Sequence, residues 1–228
     1  MRTILKQVEP DGFISWKPAN QEKIDRFIAE GKTGEIIWKL LVSNLGKDEA
    51  INDYSASQLR KVLVEEQFHI CCYCNDTIKG EPLDTKIEHF LPKENYKEDI
   101  FNYLNLLVAC NGGERDSKPR TLHCDTHKGS KDPSQFQLIS PFDNDSSTHF
   151  LFRENGEISG KTLQGKETIL FLNLDCTKLN FRRKLAIEMY LYDETEDFET
   201  QIKEVVEPMD GKLQAFCMAI LSVLENYQ

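Results

Sequence analysis

Four short stretches decide how this chain reads: Cys71-Cys72-Tyr73-Cys74; Lys86-Ile87-Glu88-His89-Phe90-Leu91-Pro92-Lys93; Asn102-Tyr103-Leu104-Asn105-Leu106-Leu107-Val108-Ala109-Cys110; and His123-Cys124-Asp125-Thr126-His127-Lys128-Gly129. Across residues 70–132 long helical periodicity disappears, and cysteine, histidine, asparagine and glycine are concentrated there. Such a segment needs something other than a hydrophobic core to order it, and a metal ion is the usual source. Cys71 and Cys74 have the Cys-x-x-Cys spacing that brings two thiolates into one knuckle around a tetrahedral Zn²⁺. One pair is weak evidence alone. Cys110 and Cys124 supply a second pair, at a separation that requires residues 111–123 to bulge out between them. The expectation is a closed Cys₄ structural zinc site. Cys72 could replace Cys71, and His123, beside Cys124, could also be a ligand. Burial as reduced thiols is the competing reading, and it suits Cys72, Cys176 and Cys217. A redox Cys-x-x-Cys is disfavoured, because no thioredoxin-like βαβ pattern surrounds it.

Outward from this segment, ordinary patterning returns on both sides. Residues 1–69 read as mainly helical after an irregular start. Ile24, Phe27 and Ile28 fall at i, i+3, i+4, and the apolar run Ile36-Ile37-Trp38-Lys39-Leu40-Leu41-Val42 is expected to be buried. Ser55-Ala56-Ser57-Gln58 reads as a capping box, opening a helix whose inner face is Leu59, Val62 and Leu63. In residues 133–228, the sequence around Asn155-Gly156 predicts a β-hairpin. Residues 166–192 read as helical, and Leu213, Phe216, Cys217, Ile220, Leu221 and Leu224 predict a last helix. The run 193–210 holds eight acidic residues against one lysine and reads as a solvated loop and helix face. The fold class expected is α+β, in three regions: 1–69, 70–132 and 133–228.

The bulk properties narrow the function. The 228 residues carry a formal charge of −10, which disfavours a free-standing, high-affinity nucleic-acid binder. A catalytic cleft needs only a local basic patch, and Arg115, Lys118, Arg120, Lys128 and Lys131 offer one. The longest apolar run, residues 215–224, is too short to span a bilayer. The first residues lack the apolar core of a signal peptide. The expectation is a cytoplasmic protein with reduced thiols.

The order Cys-x-x-Cys, Glu-His-x-x-Pro, Asn-Leu-Leu-x-x-Cys, Cys-x-x-His-Lys resembles the HNH, or ββα-metal, nuclease core flanked by zinc knuckles. Its longer form is similar to the HNH component of Septu and some retron anti-phage systems. The resemblance is specific over residues 70–132 only. It implies a metal-dependent endonuclease with a small ββα-metal core, cutting DNA in preference to RNA. Hydrolysing a phosphodiester needs a base for water and a divalent cation for the developing charge. The resemblance implies His89 as base, Glu88 as a ligand to Mg²⁺ or Mn²⁺, and Asn105 as the residue that holds the catalytic loop and histidine in orientation. The third position stays open: register from the last cysteine selects Asp125, and spacing makes His127 equally attractive. A partner ATPase of the PtuA kind, in a hetero-oligomer, is also implied.

Two other readings compete. A zinc-stabilised scaffold that had lost activity would suit the acidity and the helical flanks, but the Glu88, His89, Asn105 and Asp125 or His127 set is complete. An RNA-cleaving enzyme on the same core is a second rival. Gly156-Glu157-Ile158-Ser159-Gly160-Lys161-Thr162 imitates a P-loop but is one residue too short, with Asn155 where the first glycine belongs; on a predicted hairpin, it is not expected to bind nucleotide.

Overall fold

A computed structural model describes residues 1–42, 54–113, 121–193 and 197–226. Its N-terminal part holds three helices: α1 (Asp11–Ala29), α2 (Gly34–Val42) and α3 (Ala56–Glu66). The α3 start is the predicted capping box, with Ser55 Oγ accepting from Gln58 N and the Gln58 side chain accepting from Ser55 N. Leu59 and Leu63 are fully buried on its inner face. Helix α2 is less buried than its apolar run suggests. At helical spacing only one stripe can face the core, so Ile37, Leu40 and Leu41 are inside while Ile36 and Val42 face outward.

An antiparallel pair follows, β1 (Thr85–His89) and β2 (Leu106–Cys110), with Glu88 opposite Leu107 and His89 opposite Leu106. All five β2 residues are buried. Gln67, just past α3, covers the outer edge of that strand. Its amide donates to Val108 O (2.8 Å) and Ile70 O (3.0 Å), and its carbonyl accepts from Val108 N (2.8 Å). The hairpin is followed by a short helix, α4 (Cys124–Lys128). The N-terminal helices pack on the connection between the strands. Phe101 lies 4.9 Å from the Trp16 ring and 5.7 Å from the Trp38 ring. The chain is therefore an α+β fold with a small two-stranded sheet among helices, as expected.

The remainder forms the predicted hairpin, β3 (Phe150–Phe152) with β4 (Ile158–Gly160), then helices α5 (Leu163–Leu172), α6 (Thr177–Leu191), α7 (Phe198–Val206) and α8 (Cys217–Leu224). The helical stretch read over 166–192 is two helices. Asn173 adopts a left-handed conformation that ends α5, as Asn tolerates better than most residues. The last helix begins four residues later than its apolar periodicity, because left-handed Phe216 precedes it. Helix α7 lies within the acidic run, whose residues 194–196 fall outside the described ones. The false P-loop does lead from a strand into a helix, contrary to its sequence reading, but the Thr162 side chain is occupied as the α5 cap, accepting from Gly165 N. Among the described residues no helix is long and apolar enough to cross a membrane.

Candidate active site and cysteine cluster

Cys71, Cys74, Cys110 and Cys124 come together as four sulfur ligands within 4.8 Å of one another. Cys71 Sγ to Cys124 Sγ is 3.9 Å, and Cys74 Sγ to Cys110 Sγ is also 3.9 Å. A disulfide would require about 2 Å. A tetrahedron with Zn–S near 2.3 Å has sulfurs roughly 3.8 Å apart, so the spacing fits a tetrathiolate metal site. Burial raises the Cys71 thiol, but hydrogen bonds from Cys110, Cys124, Cys72 and Cys74 carry it well below its usual value, while burial leaves Cys74 and Cys124 well above theirs.

Local backbone makes the cluster possible. Cys124 takes a positive φ of 53° as it opens α4. Gly112 has φ 61°, and a Cβ there would stand 2.3 Å from His123 O; the close return of the chain after Cys110 demands glycine. Of the two alternative ligands, His123 sits beside the cluster, Nδ1 lying 3.2 Å from Cys124 Sγ. Cys72 is buried outside the set of four.

The other face of the hairpin lines an open groove of about 760 Å³, bounded by α2, α3, β1 and α4. Glu88, His89, Asp125 and Lys128 all line it. Glu88 Oε1 accepts from Tyr73 Oη (2.6 Å) and from Lys128 Nζ (2.6 Å), and Lys128 also donates to His89 O (2.7 Å). Burial disfavours the Glu88 charge, yet Lys128 and hydrogen bonds with Asp125, Lys128 and Tyr73 prevail and hold the carboxyl below its usual value. Asp125 is pushed up to about 8, first by burial and then by neighbouring Glu88. Two carboxyl groups thus share one site where both are ionised only with help from a cation.

His89 is 4% exposed and stands edge-on to Trp38, ring centroids 4.7 Å apart at 90°. Its Nε2 lies 3.0 Å from Ile100 O. A carbonyl only accepts, so Nε2 carries the proton and Nδ1 keeps a lone pair. Burial, then Lys93, pushes the imidazole down to about 3, so it is neutral at pH 7. Asn105 fixes the loop after His89. Its Oδ1 accepts from Leu91 N (2.7 Å), and its Nδ2 donates to Leu91 O (3.1 Å) and Asp99 O (3.2 Å).

The two residues proposed for the third position separate. Asp125 reaches the groove beside Glu88, whereas His127 Nδ1 lies 3.0 Å from Phe171 O, on the α5 side. Of the expected basic patch, Arg115, Lys118 and Arg120 lie outside the described residues. Tyr73 and Arg60 carry no functional signal in the sequence, and Trp38 is legible there only as part of a buried apolar run. Tyr73 lies between ligand cysteines, and nothing in that pattern signals its bond to Glu88.

No protein-family profile matches this chain. It is similar to Septu protein PtuB of Bacillus thuringiensis, 30% identical over 117 residues, 51% of this chain and 41% of that protein. The chain spans about two fifths of that relative's length.

Proposed function

We propose that the chain is a metal-dependent HNH endonuclease with a ββα-metal core, serving anti-phage defence beside an ATPase of the PtuA kind. One observation carries the reading. A neutral, orientationally locked histidine and a pair of hard carboxyl oxygens line a single groove, the requirements for water activation beside a divalent cation. The likeness to a Septu protein supplies the biological setting.

In this reading Zn²⁺ is held by Cys71, Cys74, Cys110 and Cys124 and fixes the hairpin to α4. Glu88 and Asp125 would hold Mg²⁺ or Mn²⁺, which when bound stabilises negative charge on the phosphate and leaving oxygen. His89 accepts the proton of the attacking water at Nδ1. Ile100 O holds its other nitrogen, so the ring presents the lone pair in one direction. Asn105 positions the 90–99 loop and through it His89. Lys128 holds Glu88 in place from α4. His127, set against Phe171 O, has no catalytic role here.

The strip Phe181, Leu185 and Met189 runs exposed along α6 at intervals of four residues and suits a protein partner. Regions 1–69 and 133–228 would then frame the nuclease core and dock the ATPase.

The test is cleavage of plasmid DNA and total RNA with Mg²⁺ or Mn²⁺, with and without the ATPase. Wild-type cutting that His89→Ala abolishes at unchanged zinc content supports the reading and names the substrate. Absence of cutting by both proteins in every condition rejects it.

A further inference from the structure

The groove reaches beyond the carboxylates to a cation that the hydrolytic reading leaves unused. Arg60 extends from α3 to the groove wall, beside Pro82, Thr85 and Lys86. Among the described residues three other cations line the groove, and each has a partner. Lys93 Nζ pairs with Glu35 (2.8 Å), Lys128 Nζ pairs with Glu88 (2.6 Å), and Lys86 Nζ donates to Thr126 Oγ1 (3.1 Å). Arg60 differs. Among the described residues its guanidinium has no hydrogen-bond or ion-pair partner, and Nε alone is enclosed, so the terminal nitrogens are the donors left for a ligand in the groove.

Glu81 and Asp84 favour the Arg60 charge, but burial acts more strongly and lowers its pKa. The Asp84 oxygens are committed to its own turn, accepting from Lys79 N, Glu81 N and Thr85 Oγ1. A half-buried guanidinium whose terminal nitrogens lack a partner favours an anion that can meet them from the groove.

Its location says which anion. Lys86 and Glu88 share one face of β1, two residues and therefore about 6.6 Å apart along the strand. That is on the scale of one nucleotide step. A polynucleotide whose scissile phosphate lies at Glu88 would pass its neighbouring phosphate over Lys86 and towards Arg60. The planar guanidinium fork matches two phosphate oxygens, as an ammonium does not.

We propose that Arg60 grips the backbone phosphate next to the one that is cut, so that helix α3 supplies substrate positioning to a site built on the hairpin. This rests on the nuclease reading. Arg60 is a positioning residue with no contact to the reacting atoms, and the grip is blind to base sequence.

The experiment measures binding in the His89→Ala background, without Mg²⁺ or Mn²⁺, with and without the ATPase. Labelled duplex DNA, single-stranded DNA and RNA are titrated by anisotropy across a salt series. Adding Arg60→Gln is expected to weaken whichever polymer binds by about tenfold. It should also flatten the salt slope by roughly 0.7 to 0.9, the loss of one phosphate contact. Arg60→Lys should restore the slope but only part of the affinity. In the active background, Arg60→Gln should raise KM more than it lowers kcat. An unchanged affinity and slope in Arg60→Gln, at unchanged zinc content and melting temperature, overturns the proposal. If the wild type still cuts and His89→Ala does not, the nuclease reading survives that result. If Arg60→Gln proves unstable, the slope of Arg60→Lys decides: a full loss of the contact with Lys overturns the idea. Failure of the His89→Ala protein to bind any polymer, with no wild-type cutting, removes both.

Discussion

One short helix serves two sites of opposite character. Cys124 at the start of α4 enters a cluster of four buried sulfurs, while Asp125 and Lys128 on the same helix reach an open groove. The cysteine cluster is closed: its donors are soft, mutually close and leave no position for a further ligand. The groove has hard oxygen donors, a histidine with a free lone pair, and an open side. The contrast separates holding from reacting. On the function proposed above, a site that must be rigid would be sealed by its own ligands, and a site that must turn over would keep an open side and a competing internal cation.

The comparison can be broken most severely at the closed end. Cys110→Ala should lose zinc and the cooperative melting of the hairpin region. Structural zinc in small domains is worth about 10–16 kcal/mol in favourable cases, as much as a typical domain's whole stability of about 5–15 kcal/mol. Metal content and thermal melting would be measured together, and a variant that keeps both at wild-type levels would refute a four-cysteine site.

At the open end, His89→Ala should reduce cleavage by about 10²–10⁴-fold while zinc content and melting stay near wild type. A parallel loss of zinc would show the two ends are not separable. Asp125→Asn and His127→Ala then sharpen the assignment within α4. The first should lower cleavage roughly 10–100-fold, and the second should change it by no more than a few-fold. Reversal of that order in a side-by-side kinetic assay would move the metal site to His127.

Smaller effects test the supports. Asn105→Ala removes three hydrogen bonds to the loop after His89 and should cost about 1–3 kcal/mol, read as a lower denaturant midpoint together with slower cleavage. The smallest change is expected for Cys72→Ala, which should leave zinc stoichiometry untouched; loss of the metal there would place Cys72 among the ligands.

Much of this arrangement was legible because ligand chemistry leaves local marks. The Cys-x-x-Cys spacing, the Ser55–Gln58 capping box and the Asn155-Gly156 turn each specify geometry within a few residues. The exposure of Ile36 and Val42 is not legible, because an unbroken apolar run hides which stripe of a helix faces inward. What stayed invisible depends on contacts distant in sequence. Tyr73 to Glu88, Lys128 to Glu88 and His127 to Phe171 span 15, 40 and 44 residues. The choice between Asp125 and His127 could not be read from spacing, because both lie within one and a half turns of the same helix. Two residues apart on a helix they point to nearly opposite sides, and which side meets the groove is decided by the packing of α4, with His127 against Phe171 O of α5.

Gln67 has a consequence for how this molecule behaves in a crowded solution. The outer rim of β2 would otherwise present Val108 N–H and C=O to any extended chain that drifted past, and an open rim is where sheets add strangers. The Gln67 amide imitates one residue of a third strand, bonding both groups at 2.8 Å. The sheet is thereby finished at two strands. So small a sheet is protected from growing by strand exchange, and the guard is one side chain together with the Cys72 N–H, which also donates to Val108 O (3.1 Å).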